Sequence, residues 1–308
     1  VQAANSGNLP AAEDLARRVV GLQPKHFPAL NMLAVLLTMR GDAVNAEKYY
    51  AKAIQVNPAS EATLFNYALL LDQLGKRALA VEMLSRALKL NAQVAETWMA
   101  RGAILHLMQR YDEAVADFDA ALALQPKNPE AIANKGASLV ALGKGDDASA
   151  LFEAALALEP NTVAAWIGKG NLALERGLAG EALSAFTRAI NLGPNLVEAW
   201  LGMGNAHHSA NAYEAALSAY DRAISIKETF ASAWIGKANV YVATSRNSDA
   251  AACLKKAVQF DPQAAEAWLM MGNVQLEARQ MQDARRSYDK ALQLKPGLRA
   301  LPGLRLMA

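Results

Sequence analysis

All five tryptophans of this chain stand in one register: Trp98, Trp166, Trp200, Trp234 and Trp268 are separated by 68, 34, 34 and 34 residues, with Ile132 at the skipped place. A fixed period of that length confines the chain to stacked supersecondary units, because one such unit cannot bury its apolar face alone. Extended in both directions, the frame gives eight contiguous 34-residue units without an insertion, at 27–60, 61–94, 95–128, 129–162, 163–196, 197–230, 231–264 and 265–298.

Within a unit, position 8 is always small (Ala34 and Gly170 are examples), and positions 20 and 27 are always alanine. Small residues at fixed places let two helix backbones approach closely, so each unit reads as a helix A, a tight turn and a helix B. Position 15 is glycine at Gly41, Gly75, Gly143 and Gly177, where a helix end needs a left-handed residue. Position 32 is proline at Pro58, Pro126, Pro160, Pro194, Pro262 and Pro296, which closes helix B. No segment alternates as a strand does, and the expected class is all-α. In this frame Gly168-Lys169-Gly170 is helical and is not a phosphate loop, which would need a preceding strand and a helix N-terminus. Lys169, Lys135 and Lys237 share position 7, where the methylene stem packs and the ammonium is expected to reach water.

Trp at position 4, Gly or Ala at 8, Ala at 20, Tyr or Phe at 24 (Tyr50, Phe118, Phe152, Phe186, Tyr220, Tyr288), Ala at 27 and Pro at 32 resemble the tetratricopeptide repeat family over 27–298. Ala92 and Glu228 depart from the proline, and Leu84 and Leu254 from the aromatic. The resemblance implies a right-handed α–α superhelix, or solenoid, whose helix A faces line a groove for extended protein segments. Residues 1–26 read as the second half of a further repeat, its helix B, with Gly7, Ala12, Val19 and Pro24 in register. Residues 299–308 leave the pattern as a tail, and the chain reads as part of a longer protein.

Positions 2, 5, 9 and 12 share one face of helix A, by their spacing of three, four and three. Position 9 is Val35, Leu69, Ala103 and Ala137 in the first four units, then Asn171, Asn205, Asn239 and Asn273 in the last four. An asparagine amide offers donors and an acceptor, so four of them form either a ladder for the main chain of an extended peptide or internal scaffold bonds. Both readings stay open. Beside them, Ile167, Leu201, Ile235 and Leu269 at position 5 form an apolar stripe that takes up ligand side chains or packs between adjacent A helices. His106 and His208 lie at position 12, too far apart to share a metal. Position 5 carries no lysine, which argues against the carboxylate-clamp members of the resembled family.

The charges nearly balance, 31 basic against 29 acidic, and no run of like charge marks a nucleic-acid or membrane-surface tail. Four histidines and the lone Cys253 present no ligand spacing for a metal and no catalytic constellation, and no cofactor is implied. The expected role is a protein-interaction module that is not itself an enzyme, placed in the cytoplasm by its single cysteine, with a helical RNA reader and membrane insertion set aside. The tail LKPGLRALPGLRLMA at 294–308 resembles the junction between repeats and catalytic region in bacterial O-linked N-acetylglucosamine transferase-like proteins, which implies a substrate-recruiting role in a glycosyltransferase. A free-standing scaffold organising a multiprotein complex, or an array that self-associates through its exposed repeat ends, is the other reading.

Overall fold

The computed structural model of the chain describes residues 9–300, with side chains through 298. Gly7 and the tail from 301 onward lie outside the described residues. The described chain is all-α, as expected, and contains no strand. It divides into two compact units, the first ending at Pro160 and the second starting at Asn161.

The first unit contains α1 (Leu9–Leu22), α2 (Phe27–Met39), α3 (Ala43–Val56), α4 (Glu61–Gln73), α5 (Arg77–Leu90), α6 (Ala95–Leu107), α7 (Tyr111–Leu124), α8 (Pro129–Ala141) and α9 (Gly145–Leu158). The second contains α10 (Val163–Glu175), α11 (Ala179–Leu192), α12 (Val197–Ser209), α13 (Tyr213–Ile226), α14 (Ala231–Ala243), α15 (Asn247–Phe260), α16 (Ala265–Glu277) and α17 (Met281–Leu294), then a 3-10 turn at Pro296–Ala300. From α2 onward, A helices of 13 residues alternate with B helices of 14, and α1 occupies the place of a B helix. Within each unit, every helix packs on its neighbours in sequence.

The A-to-B turn explains why such short helices stop cleanly. Position 15 has a positive φ in every hairpin, at Gly41 (81°), Gly75 (74°), Gly143 (73°) and Gly177 (71°), but also at Gln109 (60°), Asn211 (57°), Ser245 (58°) and Arg279 (59°). The next N–H folds back five residues, from Arg110 to the Leu105 carbonyl (2.9 Å) and from Arg246 to that of Tyr241 (2.7 Å), which satisfies a helix-end acceptor. Side-chain carbonyls and hydroxyls cap few helix starts; Asn128, accepting from the Ala131 N–H at 3.0 Å, is one that does.

The core is built around the aromatic at position 24 of helix B. Phe186 is fully buried, and a β-carbon placed on Gly170 of the same hairpin would stand 2.7 Å from its ring; one placed on Gly202 of the next A helix would collide with the same ring. Tyr220 fits in the same way against Gly204 and Gly236. Where position 24 is leucine, at Leu84 and Leu254, position 8 is alanine, at Ala68 and Ala238, so the two positions fill one volume between them.

The tryptophans are not the interior filling that their periodicity suggests. Trp98, Trp200, Trp234 and Trp268 are only half-buried, and each indole N–H donates to a backbone carbonyl six residues back, at Ala92 (2.9 Å), Pro194 (2.8 Å), Glu228 (2.8 Å) and Pro262 (3.0 Å). These are staples across the turn between hairpins. The acceptor is main chain, so Ala92 and Glu228 serve as well as proline.

Candidate functional site

In the second unit the A-helix face is carried by α10, α12, α14 and α16. Asn171, Asn205 and Asn273 are exposed and Asn239 is half-buried. The apolar stripe of Ile167, Leu201, Ile235 and Leu269 is half-buried, and each member packs against a buried cluster, Ile167 around Phe186 and Leu201 around Tyr220. Packing therefore accounts for the inner side of the stripe, and its outer side remains accessible.

One cavity of about 240 Å³ gathers part of this face: Leu201 and Asn205 from α12, Ser232, Ile235, Gly236 and Asn239 from α14, and Glu266 from α16. It brings together four of the residues expected at a site. Asn171, Ile167, Asn273, Leu269 and His208 do not line it. Ser232 and Glu266 at position 2 were missed as individuals, although the three-four-three spacing had placed position 2 on the shared face.

The four amides are not equivalent. The Tyr220 hydroxyl donates to Asn205 Oδ1 at 2.8 Å, and the Tyr288 hydroxyl donates to Asn273 Oδ1 at 2.8 Å. Both tyrosines are buried, at 1% and 4% exposure, and burial raises each phenol above its usual range. A phenol in that setting needs an acceptor, so these two asparagines latch helix A to helix B. In the other two hairpins position 24 is Phe186 or Leu254, which offer no hydroxyl. The side chains of Asn171 and Asn239 make no hydrogen bond to another described residue. The scaffold explanation thus covers Asn205 and Asn273, whose NH₂ groups donate to no other described residue, and leaves Asn171 and Asn239 without a structural task.

Position 7 cations do not reach freely into water. Lys135 pairs with Asp119 at 2.6 Å, and Lys237, 17% exposed, pairs with Asp221. Burial opposes the Lys237 charge, but the hydrogen bond it donates to Asp221 and the attraction of that carboxylate and its neighbours together hold the ammonium above its ordinary value. At the same position, Arg101 makes two 2.7 Å bonds to the buried Asp117 of its own hairpin. These three cations are each engaged with a B-helix carboxylate. By contrast, Glu198 and Glu266 at position 2 are exposed and take part in no ion pair among the described residues.

His208 packs beside Tyr213, ring centroids 5.9 Å apart, and its buried Nε2 has no hydrogen-bond partner. His106 differs: its Nδ1 lies 2.9 Å from the Ser138 hydroxyl, and burial lowers its pKa. It borders a separate, largely apolar cavity of about 230 Å³ in the first unit, lined by Ala103, His106, Leu107, Phe118, Asn134 and Ala137. The position 9 alanines leave that opening over Phe118. Burial pushes the Cys253 thiol up to about 11, so it stays protonated at neutral pH and is a poor nucleophile. Among the described residues no group of three or more His, Cys, Asp or Glu is placed to hold a metal ion. No helix among them is long and apolar enough to cross a membrane.

Models of the tetratricopeptide repeat match residues 3–61, 62–94, 95–128, 134–197, 180–229 and 235–299, which together span most of the chain. Among curated proteins no sequence matches it. Of solved structures, a tetratricopeptide repeat protein from Parabacteroides merdae is similar over 80% of this chain and 98% of its own, with 20% identity and a TM-score of 0.66. A chain of the APC/C hetero-tetramer Cut9–Hcn1 is similar over 86% of this chain, with 15% identity and a TM-score of 0.63. This chain covers about half, 52%, of that one's length. At such identities the likeness is one of fold.

Proposed function

The chain belongs to the tetratricopeptide repeat family, whose repeats mediate protein–protein interaction, and from that premise we propose that the A-helix face of the second unit holds an extended polypeptide segment. The observation that carries the reading is the cavity in which Leu201, Asn205, Ile235 and Asn239 converge. Amides able to pair with a peptide N–H or C=O stand there beside apolar surface for a side chain, and the amide of Asn239 has no internal partner. Asn171, the other unengaged amide, stands two hairpins from Asn239, with Asn205 between them.

The test is selection from a displayed library of random linear peptides on the wild-type chain, followed by binding to the Asn171→Ala/Asn239→Ala variant. These two positions carry no internal bond, so folding is kept while main-chain contacts are lost. Weaker retention at unchanged helicity supports the reading; equal retention defeats it.

Within that role we place the chain as the substrate-recruiting part of a larger protein, such as an O-linked N-acetylglucosamine transferase-like glycosyltransferase, on the strength of the segment at 294–308. A nucleotide-sugar-binding domain encoded beyond residue 308 is the expected finding, and an unrelated domain there retires the idea. Self-association is a second reading, favoured by α1. Leu22 is 85% exposed, and Leu15, 52% exposed, lines an apolar cavity of about 150 Å³ with Ala12, Ala16, Val19, His26 and residues of α2. Light scattering over a concentration series, with Leu15→Asp for comparison, decides it: a wild-type mass that stays monomeric throughout rejects it.

A further inference from the structure

We infer that the cavity between α12, α14 and α16 seats a cationic side chain, lysine or arginine, of the bound segment; the inference rests on the groove reading above and adds the chemistry of the residue recognised there. The lining has two parts. Leu201 and Ile235 are half-buried apolar walls, suited to a methylene stem. Around them stand Ser232, Asn239, Asn205 and the Glu266 carboxylate.

Acceptors dominate that polar set. The Glu266 carboxylate is a pure acceptor at neutral pH, the Ser232 hydroxyl can accept, and Asn239 Oδ1 is uncommitted. Asn205 Oδ1 already receives the Tyr220 hydroxyl, so Asn205 presents NH₂ donors, fitted to a peptide carbonyl. One lining thus divides into a donor edge for main chain and an acceptor cluster for an ammonium or guanidinium.

Charge on the wider face points the same way. At positions 2, 5, 9 and 12 of the four A helices in this unit, the charged residues are Glu198 and Glu266, and none is lysine or arginine. Lys237, the nearest cation on α14, is committed to Asp221. Glu266 therefore keeps its negative charge uncompensated, which attracts a cationic residue and repels an acidic one. A first-turn glutamate also favours its own helix through the backbone dipole. That role touches stability alone and predicts no preference among peptides.

The experiment uses the full chain and a displayed library of random linear peptides, selected in parallel on wild type, Glu266→Gln and Glu266→Lys. Wild type is expected to enrich peptides with lysine or arginine at a fixed place. Affinity of the best synthetic peptide should fall about fivefold on Glu266→Gln, the upper end for a solvent-exposed ion pair. It should fall by a similar factor when the peptide's cation is replaced by norleucine. Glu266→Lys should shift the enriched peptides toward Asp and Glu. Peptides that bind, and that lose affinity on Asn171→Ala/Asn239→Ala, yet show no basic preference and ignore Glu266→Gln, overturn this inference and leave the groove reading standing. If no peptide is enriched, the groove reading falls and takes this inference with it.

Discussion

Replacing Asn205 with alanine should damage the fold, even though Asn205 is exposed. The residue at risk is Tyr220, which is 1% exposed, and its hydroxyl donates to Asn205 Oδ1 at 2.8 Å. Removing the acceptor strands a buried donor, at about 1–3 kcal/mol. Tyr220→Phe removes the donor and frees Asn205 to water, a loss of about 0.5–1.5 kcal/mol. In the Asn205→Ala/Tyr220→Phe double variant nothing is stranded, so its cost should approach that of Tyr220→Phe alone, with a coupling of about 1 kcal/mol or more. Asn239→Ala is the internal control: its amide has no described partner, and its effect should stay within about 0.5 kcal/mol. Urea denaturation followed by helical circular dichroism and by the fluorescence of the neighbouring Trp200 and Trp234 gives the four stabilities, and agreement of the two probes checks that a single free energy applies to a repeat array. Additive costs for Asn205→Ala and Tyr220→Phe, or equal costs for Asn205→Ala and Asn239→Ala, refute the latch.

Three further outcomes follow from the same contacts. Gln109→Gly and Arg279→Gly should each stabilise the chain by about 0.5–1 kcal/mol, read as a rise in urea midpoint, because both residues hold left-handed φ values near 60° that glycine adopts without strain. Gly202→Ala should destabilise it by about 1–3 kcal/mol, since the added methyl meets the buried Phe186 ring; a neutral result in the same titration would show that the ring yields. Burial holds the His106 pKa below its ordinary 6.5, so the unfolded chain binds the proton more readily, and this contribution is whole above about pH 6.5 and is lost as pH falls through the folded value. His106→Gln should flatten that part of the stability–pH profile, and carboxylates titrate below the window.

Much of the architecture was legible in the 34-residue period, because small residues at positions 8, 20 and 27 recur wherever two helix backbones meet. The left-handed turn was legible only where glycine marks it: Gln109 and Arg279 adopt the same φ because the flanking helices impose it, and side-chain type carries no sign of that. Asn205 with Tyr220 and Asn273 with Tyr288 repeat a 15-residue separation that was visible in the sequence. The scaffold reading of position 9 named no partner for these amides, because the partner lies on helix B. The lysines at position 7 misled in the same way: the stem does pack, but Asp119 and Asp221 that receive the ammonium of Lys135 and Lys237 belong to the preceding hairpin. Ser232 and Glu266 needed the cavity itself, since only three-dimensional packing shows which members of a shared face line one space.

The central claim, that a peptide lies against the amides of the second unit, is tested most directly by nuclear magnetic resonance on the chain labelled with nitrogen-15 at asparagine alone. On titration with a selected peptide, the side-chain NH₂ signals of Asn205 and Asn239 should shift progressively while those of the inter-hairpin residues Asn57 and Asn91 stay in place. Saturable binding that leaves both groove signals unmoved would contradict the account.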